Sequence, residues 1–325
     1  MEIGAVTPQD VGMTGIEEDT AFRIDWEQLP HEVRAGIEER LGGTVLRAVC
    51  QRGGFSHGLA ARVRLAHGAR VFVKAIDVAD ELATAYRSEA RTALCLPERV
   101  PTPRCRFGEE IAGWFVTAFD EVEGVHPRLA DPGEAADVLR TIGGMAQVLT
   151  PNPVPHAPTI ADALGSAFVG WRTFAEQGPP ADLDDWSLRH LDQLAELEKH
   201  WLAAASGETL LHTDLSPSNM LRRADAAVLV VDWAWACRGA AWVDLALLAP
   251  SFAAAGVDPD SILATHPVTA DVDPGAIDAV VCAMGGYWAT NSRKPAIPSS
   301  PKLRTHQRRF AGLARDWLQR RVGWA

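Results

Sequence analysis

Short apolar runs fill the chain between about Thr44 and Phe119, and apolar positions at helical spacing fill most of the chain beyond Phe119. The first set reads as strands over residues 44–49, 59–65 and 71–76, then a hairpin from 104–111 and 114–119 that turns near 109–113. One helical segment, 81–96, interrupts them; it carries Ala85, Ala90, Ala93 and Leu94 and holds no internal Gly or Pro. Ahead of the strands, Val33, Ile37 and Leu41 give one face of a helix that Asp25 is placed to cap and Gly42-Gly43 to end. Downstream, helices are expected over 135–149, 160–174, 242–252, 276–288 and 306–322. Trp186, Leu191, Leu194, Leu197 and Trp201 mark a further apolar face, and a strand over 228–233 breaks the helical series. A strand-rich first part followed by a helix-rich second part predicts an α+β architecture of two lobes. The proline-rich stretches 151–155 and 295–301 read as loops, and no internal repeat is present.

The chemistry is concentrated between the last two of these patterns. Leu211-His212-Thr213-Asp214-Leu215-Ser216-Pro217-Ser218-Asn219 precedes an apolar run ending Val230-Val231-Asp232-Trp233. Asp214, Asn219 and Asp232 are the groups needed to orient a hydroxyl nucleophile and hold magnesium against a nucleotide triphosphate. Asp214 would accept a hydrogen bond from the hydroxyl. Asp232 and the Asn219 side-chain oxygen would supply the hard oxygen ligands magnesium requires. Singly, Asp214, Ser216 and Asn219 also suit an Asx-type turn before a strand; the whole set with Asp232 selects the chemical reading.

A magnesium clamp needs a phosphate partner upstream. Lys74 sits inside the apolar strand 71–76, where an ammonium is costly unless it snorkels or is paired. Glu89, in the 81–96 helix, is its natural partner, although an edge-strand lysine and an exposed helix carboxylate would read the same way. The stretch Gln51-Arg52-Gly53-Gly54-Phe55-Ser56-His57-Gly58 joins two strands just ahead of Lys74. A glycine-rich turn in that place can lay backbone N–H groups over phosphates, with Gly53, Gly54 and Ser56 as contacts. Its spacing is neither G-x-G-x-x-G nor a P-loop, so on its own it reads as a hairpin loop.

H-x-D-x-x-x-x-N followed by a strand-borne Asp resembles the core of the kinase-fold phosphotransferases, most closely the aminoglycoside phosphotransferase family. That family usually reads H-G-D-x-x-x-x-N with a later D-x-x-x-x-G-x-x-x-x-D; here the second element is the stretch from Asp232 to Asp244. The resemblance implies a protein-kinase-like fold. It would comprise an extension over 1–22, a small β-rich nucleotide-binding lobe over 23–120 and a larger helical lobe over 121–325. It implies ATP and Mg2+ as cofactors without choosing ATP over GTP. It also implies a hinge whose backbone near Phe119, Glu121 and Val122 binds the base, and a supporting role for Asp244, which would equally serve as a helix N-cap. His212 would brace the loop. Thr213 is not the arginine of protein kinases, Asp232 is followed by Trp233-Ala234 rather than Phe-Gly, and no A-P-E segment follows. The resemblance is therefore to the antibiotic and metabolite branch, and it fixes no substrate. An aminoglycoside, nucleoside or related antibiotic is the expected hydroxyl acceptor. A choline-, homoserine- or sugar-kinase-like enzyme and a nucleotide-binding pseudokinase are the alternatives.

Composition narrows the acceptor further. Of eleven tryptophans, Trp233, Trp235 and Trp242 cluster beside the proposed site. With Ser216 they could touch substrate, the indoles by cation–π attraction to an amine, or serve as core and turn residues. The acidic run Asp182, Asp184, Asp185 suits a polyamine or simply a helix start. A net charge of −11 argues against a nucleic-acid partner and for neutral or cationic ligands. No apolar run approaches a bilayer span, and the acidic N-terminus lacks signal-peptide character, so a cytoplasmic monomer or homodimer is expected. Five scattered cysteines without C-x-x-C pairs indicate neither a disulfide framework nor zinc.

Overall fold

In the computed structural model, residues 23–51, 53 and 57–324 are described. The extension expected over 1–22, and Gly54 and Ser56 of the glycine-rich turn, lie outside them. A 3-10 turn (Trp26–Gln28) leads to α1 (His31–Leu41), then β1 (Val45–Cys50), β2 (Leu59–Leu65), β3 (Arg70–Asp77), α2 (Ala83–Cys95), β4 (Cys105–Ile111) and β5 (Trp114–Asp120). The strands form one antiparallel sheet in the order β1-β2-β3-β5-β4.

The pleat of β3 decides what this sheet can do. Successive side chains point to opposite faces. Val71, Val73 and Ala75 therefore face α1, packing with Val33, Ile37, Leu59, Val63 and Val116. Phe72 and Lys74 face the other way and line the interlobe cleft. On that second face Ile76 and Phe115 meet Ala83, Tyr86 and Ala90 of α2. Burying α2 against the sheet sets Glu89 opposite Lys74.

The chain then crosses through residues 121–125 into a helical region. It holds α3 (Pro132–Val148), α4 (Ile160–Leu164), α5 (Gly170–Gln177), α6 (Asp185–Arg189), α7 (Leu191–Glu198) and α8 (Trp201–Ala205). Next come the short strands β6 (Thr209–Leu211), β7 (Met220–Arg222), β8 (Val228–Val230) and β9 (Cys237–Gly239). They are followed by α9 (Val243–Ala254), α10 (Pro259–Thr265), α11 (Pro274–Asn291) and α12 (Leu303–Val322). β6 pairs with β9 and β7 with β8. The loop 212–219 thus leaves one two-stranded ribbon and enters the other. α11 is buried along most of its length and packs against α12, α8, α5 and α7, forming the spine of the core. Among the described residues, no helix is long and apolar enough to cross a membrane.

Local expectations gave way at several points. Asp25 precedes the 3-10 turn, and the helix itself begins at His31 after Pro30. Gly42 does end it, in the left-handed conformation that glycine tolerates. The apolar face from Trp186 to Trp201 is three short helices, and 160–174 is two, interrupted before Gly170. A Cβ on Gly170 would run into the backbone carbonyl of Gly286, so glycine is what lets α5 approach α11. Gly144, exposed in the middle of α3, has open space around it. Gly170→Ala should lower stability by about 1–3 kcal/mol through overpacking. Gly144→Ala should raise it by about 0.5–1 kcal/mol. Urea denaturation midpoints measure both, and equal midpoints for the two variants would contradict the packing argument.

Candidate active site

The cleft between the sheet and the helical region encloses about 240 Å³. From the sheet side it is lined by Phe72, Lys74 and Phe119, with Glu89 of α2; from the other side it is lined by Asn219, Leu221, Val231 and Asp232. Lys74 Nζ donates to both oxygens of Glu89, at 2.7 and 2.9 Å, and lies 3.2 Å from Asp232 Oδ1. Residues from three elements thus converge on one ammonium. Burial favours the neutral carboxylic acid and raises Glu89 to about 7, with Lys74 pulling the other way. Asp232 moves in the opposite direction: burial acts against its charge, but Lys74 and His212 outweigh that and hold it below the usual carboxylate range.

The loop before β7 is held from beneath. Asp244 is buried, and its carboxylate accepts the backbone N–H groups of His212 and Thr213, each at 2.8 Å. It stands inside the first turn of α9 and does not act as that helix's N-cap. His212 is fully buried; its Nε2 donates to the Val231 carbonyl at 2.9 Å, and its Nδ1 accepts the Asp214 N–H at 3.2 Å. The imidazole therefore ties the loop to the segment carrying Asp232.

Two residues here adopt left-handed backbone conformations, Thr213 at φ 63° and Asp232 at φ 69°. For Asp that is tolerable, but for a β-branched threonine it is strained. Such strain is of the order of 1–3 kcal/mol and persists only where neighbours over-determine it. Asp244 below and the Thr213 hydroxyl donating to the Trp235 carbonyl at 2.8 Å supply that constraint. The related H-G-D pattern has glycine at this place, which adopts the conformation without strain.

Asn219 donates its amide to the Asp214 carbonyl at 2.8 Å and to Asp214 Oδ2 at 3.0 Å, leaving its side-chain oxygen turned elsewhere. With Asp232 this makes an amide oxygen and a carboxylate on one cleft wall, a hard-oxygen donor set that fits magnesium beside phosphate. Asp214 is exposed on the loop and stands outside the residues that line the cleft, while neighbouring protein atoms crowd its carboxylate. That burial raises its pKa to about 6, helped by the Asp232 charge and opposed by His212 and the Asn219 hydrogen bond.

Placement differs for the remaining candidates. Gly53 and Glu121 line the cleft. The Glu121 carboxylate is itself held by Arg70 through two 2.9 Å bonds, so only its backbone is left to face a ligand. Ser216 Oγ meets Ser218 Oγ at 2.7 Å and closes the turn. Trp233 is 1% exposed and sets its ring edge-on to His212 at 4.9 Å, a position beneath the site; Trp235 is 55% exposed beside it. Trp242 is core. Two members of the acidic run have arginine partners, Asp182 with Arg293 at 2.7 Å and Asp184 with Arg315 at 3.4 Å, and Asp185 is exposed in the first turn of α6. Sequence reasoning missed Arg23, which lines the cleft and donates to the Gln51 carbonyl at 3.1 Å. It also missed His126, whose Nδ1 lies 2.9 Å from the Met220 carbonyl. Neither carries a local signal, whereas Phe72 was readable, two residues from Lys74 on the same strand face.

Against known proteins, the profile of the phosphotransferase enzyme family matches residues 53–271. The chain belongs to that family. Its enzyme class is that of a small-molecule kinase. No curated protein matches this phosphotransferase in sequence. Solved structures do match in fold. An aminoglycoside phosphotransferase from Alicyclobacillus acidocaldarius is 12% identical over 86% of this chain and 92% of its own, with a TM-score of 0.53. A thermostable mutant of aminoglycoside phosphotransferase APH(4)-Ia, in ternary complex with ADP and hygromycin B, is 15% identical over 90% and 98%, with a TM-score of 0.57. The choline kinase LicA from Streptococcus pneumoniae is 13% identical over 79% and 89%, with a TM-score of 0.54. The two-lobed kinase-like fold of this phosphotransferase is thereby shared with enzymes of both kinds.

Asp244→Asn would turn an amide N–H2 toward two backbone donors and leave at least one unsatisfied. The phosphotransferase should lose about 1–3 kcal/mol of stability. Unfolding in urea measures this, and a midpoint equal to that of the parent chain would remove Asp244 as the support of the loop.

Proposed function

We propose that this chain is an ATP-dependent O-phosphotransferase that moves the γ-phosphoryl group onto a hydroxyl of a small molecule. The observation that carries the reading is the convergence of Lys74 from the sheet with Asp232 from the helical region, in a cleft that Asn219 also lines. That arrangement suits a triphosphate and has no evident purpose in a structural core. Support for nucleotide use also comes from the ADP and hygromycin B bound together in the APH(4)-Ia relative. The choline kinase relative favours keeping metabolite alcohols among the candidate acceptors.

In this reading the base lies against the backbone of Phe119 to Val122, with Phe72, Leu221 and Val231 giving apolar contact. Lys74, oriented by Glu89, reaches the α- and β-phosphates. Asp232 and the Asn219 oxygen would hold magnesium, which when bound neutralises phosphate charge. Asp214 accepts the hydrogen bond of the acceptor hydroxyl and takes its proton as the oxygen–phosphorus bond forms and the bond to ADP breaks. Most of the acceleration would come from positioning and fixed charge in a partly desolvated cleft.

Asp214→Ala should lower kcat by about 10²–10⁴-fold while MgATP still binds. ADP release and nucleotide titration measure the two halves, and near-parental turnover would remove Asp214 from the mechanism. The raised Asp214 pKa sets a sign for pH. The carboxylate must be ionised to accept a proton, so kcat/KM should fall as pH drops through about 6 and level off above it. A flat profile from pH 5 to 8 would contradict the assignment. Asp232→Asn should weaken nucleotide binding in the presence of magnesium far more than in its absence. An unchanged magnesium titration would sink the metal role.

A further inference from the structure

Residues 23 and 24 hold both legs of the glycine-rich turn. On one leg, Arg23 makes a parallel bridge with Gly58, and the Ile24 N–H donates to the Gly58 carbonyl at 3.2 Å. On the other, Arg23 Nη1 donates to the Gln51 carbonyl at 3.1 Å, and the Cys50 thiol donates to the Ile24 carbonyl at 3.5 Å. Gln51 is itself fixed where the hairpin closes, its N–H donating to the Ala60 carbonyl at 2.8 Å. A segment ahead of the sheet is thus built into the turn that borders the cleft.

Gly58 locates this junction. A Cβ added to it would lie 2.7 Å from the Ala75 carbonyl oxygen and 3.1 Å from the Tyr86 hydroxyl. Ala75 follows Lys74 on β3, and Tyr86 stands one turn before Glu89 on α2. Arg23 accordingly enters the cleft at the end held by Lys74, Glu89 and Asp232, and all four residues line it. The guanidinium is within electrostatic reach of both carboxylates: burial lowers its pKa, while Tyr86, Asp232, Cys50 and Glu89 act the other way. An arginine keeps its charge through such a shift. Arg62, which also lines the cleft, stands nearer the hinge. It lies across the sheet from Phe72, and its side chain is 3.8 Å from Glu121.

The charge balance gives this guanidinium a purpose. Lys74 already faces two carboxylates, so alone it offers little net positive charge to a triphosphate. The turn has neither of the glycine spacings that cradle phosphates with backbone N–H groups. An arginine there adds a planar, fully charged set of donors matched to phosphate oxygens.

We infer that Arg23 is a second phosphate-binding cation of the cleft, supplied by the segment before the sheet and working beside Lys74. The inference rests on the phosphotransferase reading above, and it adds a nucleotide contact from outside the motif-bearing elements. A guanidinium carries five N–H donors, so holding Gln51 with one is compatible with gripping an anion.

The test reads nucleotide binding by the full chain in calorimetric titrations with MgATP, MgADP, AMP and adenosine. Arg23→Gln removes the charge and keeps an amide donor for the Gln51 carbonyl. It should weaken MgATP binding by at least about tenfold and leave adenosine binding unchanged. Arg23→Lys should restore most of the MgATP affinity. The member of the series at which the loss disappears identifies the phosphate that Arg23 touches. A residue that only holds the turn gives a different pattern: parental MgATP affinity in Arg23→Gln, or equal losses for MgATP and adenosine. Either result overturns the inference, and so does Arg23→Lys binding MgATP no better than Arg23→Gln. Should the variants not fold, a crystal structure of the unaltered chain with AMP-PNP and magnesium decides. The Arg23 guanidinium hydrogen-bonded to a phosphate oxygen supports the inference, and a guanidinium away from every phosphate overturns it. In each of these failures the parent chain still binds the nucleotide, and the phosphotransferase reading stands. A parent chain that binds neither MgATP nor adenosine counts against both.

Discussion

One ammonium shared by two carboxylates joins the halves of this protein. Lys74 is fixed in a central strand of the sheet, Glu89 on the helix that covers it, and Asp232 at the end of a strand in the helical region. An ammonium in so apolar a strand is tolerable only because both partners are present. Removing one member of a buried pair of this kind costs about 3–5 kcal/mol. The cleft exists where it does because these three groups require each other, and the remaining residues are arranged around that requirement.

The second constraint lies under the loop 212–219. Asp244 and His212 fix backbone and side chain from below, so that Asp214 and Asn219 are presented from a rigid floor. A scaffold that holds functional groups by buried hydrogen bonds leaves little reorganisation for the reaction itself. The price is a buried carboxylate whose pKa is driven upward by desolvation, opposed in part by the nearby His212 imidazole and by the two N–H groups it accepts.

Much of this was legible because the signals were local. The strand with an embedded lysine, the alanine-rich helix after it, and the spacing of Asp214, Asn219 and Asp232 all appear where pattern and chemistry coincide. The illegible parts depended on partners distant in sequence. Trp186 to Trp201 reads as one apolar face, because periodicity does not register the break at His190. Asp182 and Asp184 look like an open acidic run until Arg293 and Arg315 arrive from more than a hundred residues away. Asp244 looks like a cap because its true partners, two backbone N–H groups, belong to a loop that only folding brings near. Arg23 enters the cleft through a parallel bridge to Gly58, for which no pattern in its own neighbourhood prepares.

The ion triad also has a thermodynamic implication. While no ligand is bound, Lys74 and Asp232 satisfy each other, and a naked triphosphate entering that space would gain the lysine only by confronting the aspartate at close range. On the proposed reading, a divalent cation accompanying the phosphates would reverse the balance by giving Asp232 a partner in place of the lysine. Free nucleotide and free cation would then each be poor ligands alone, with steeply interdependent saturation curves.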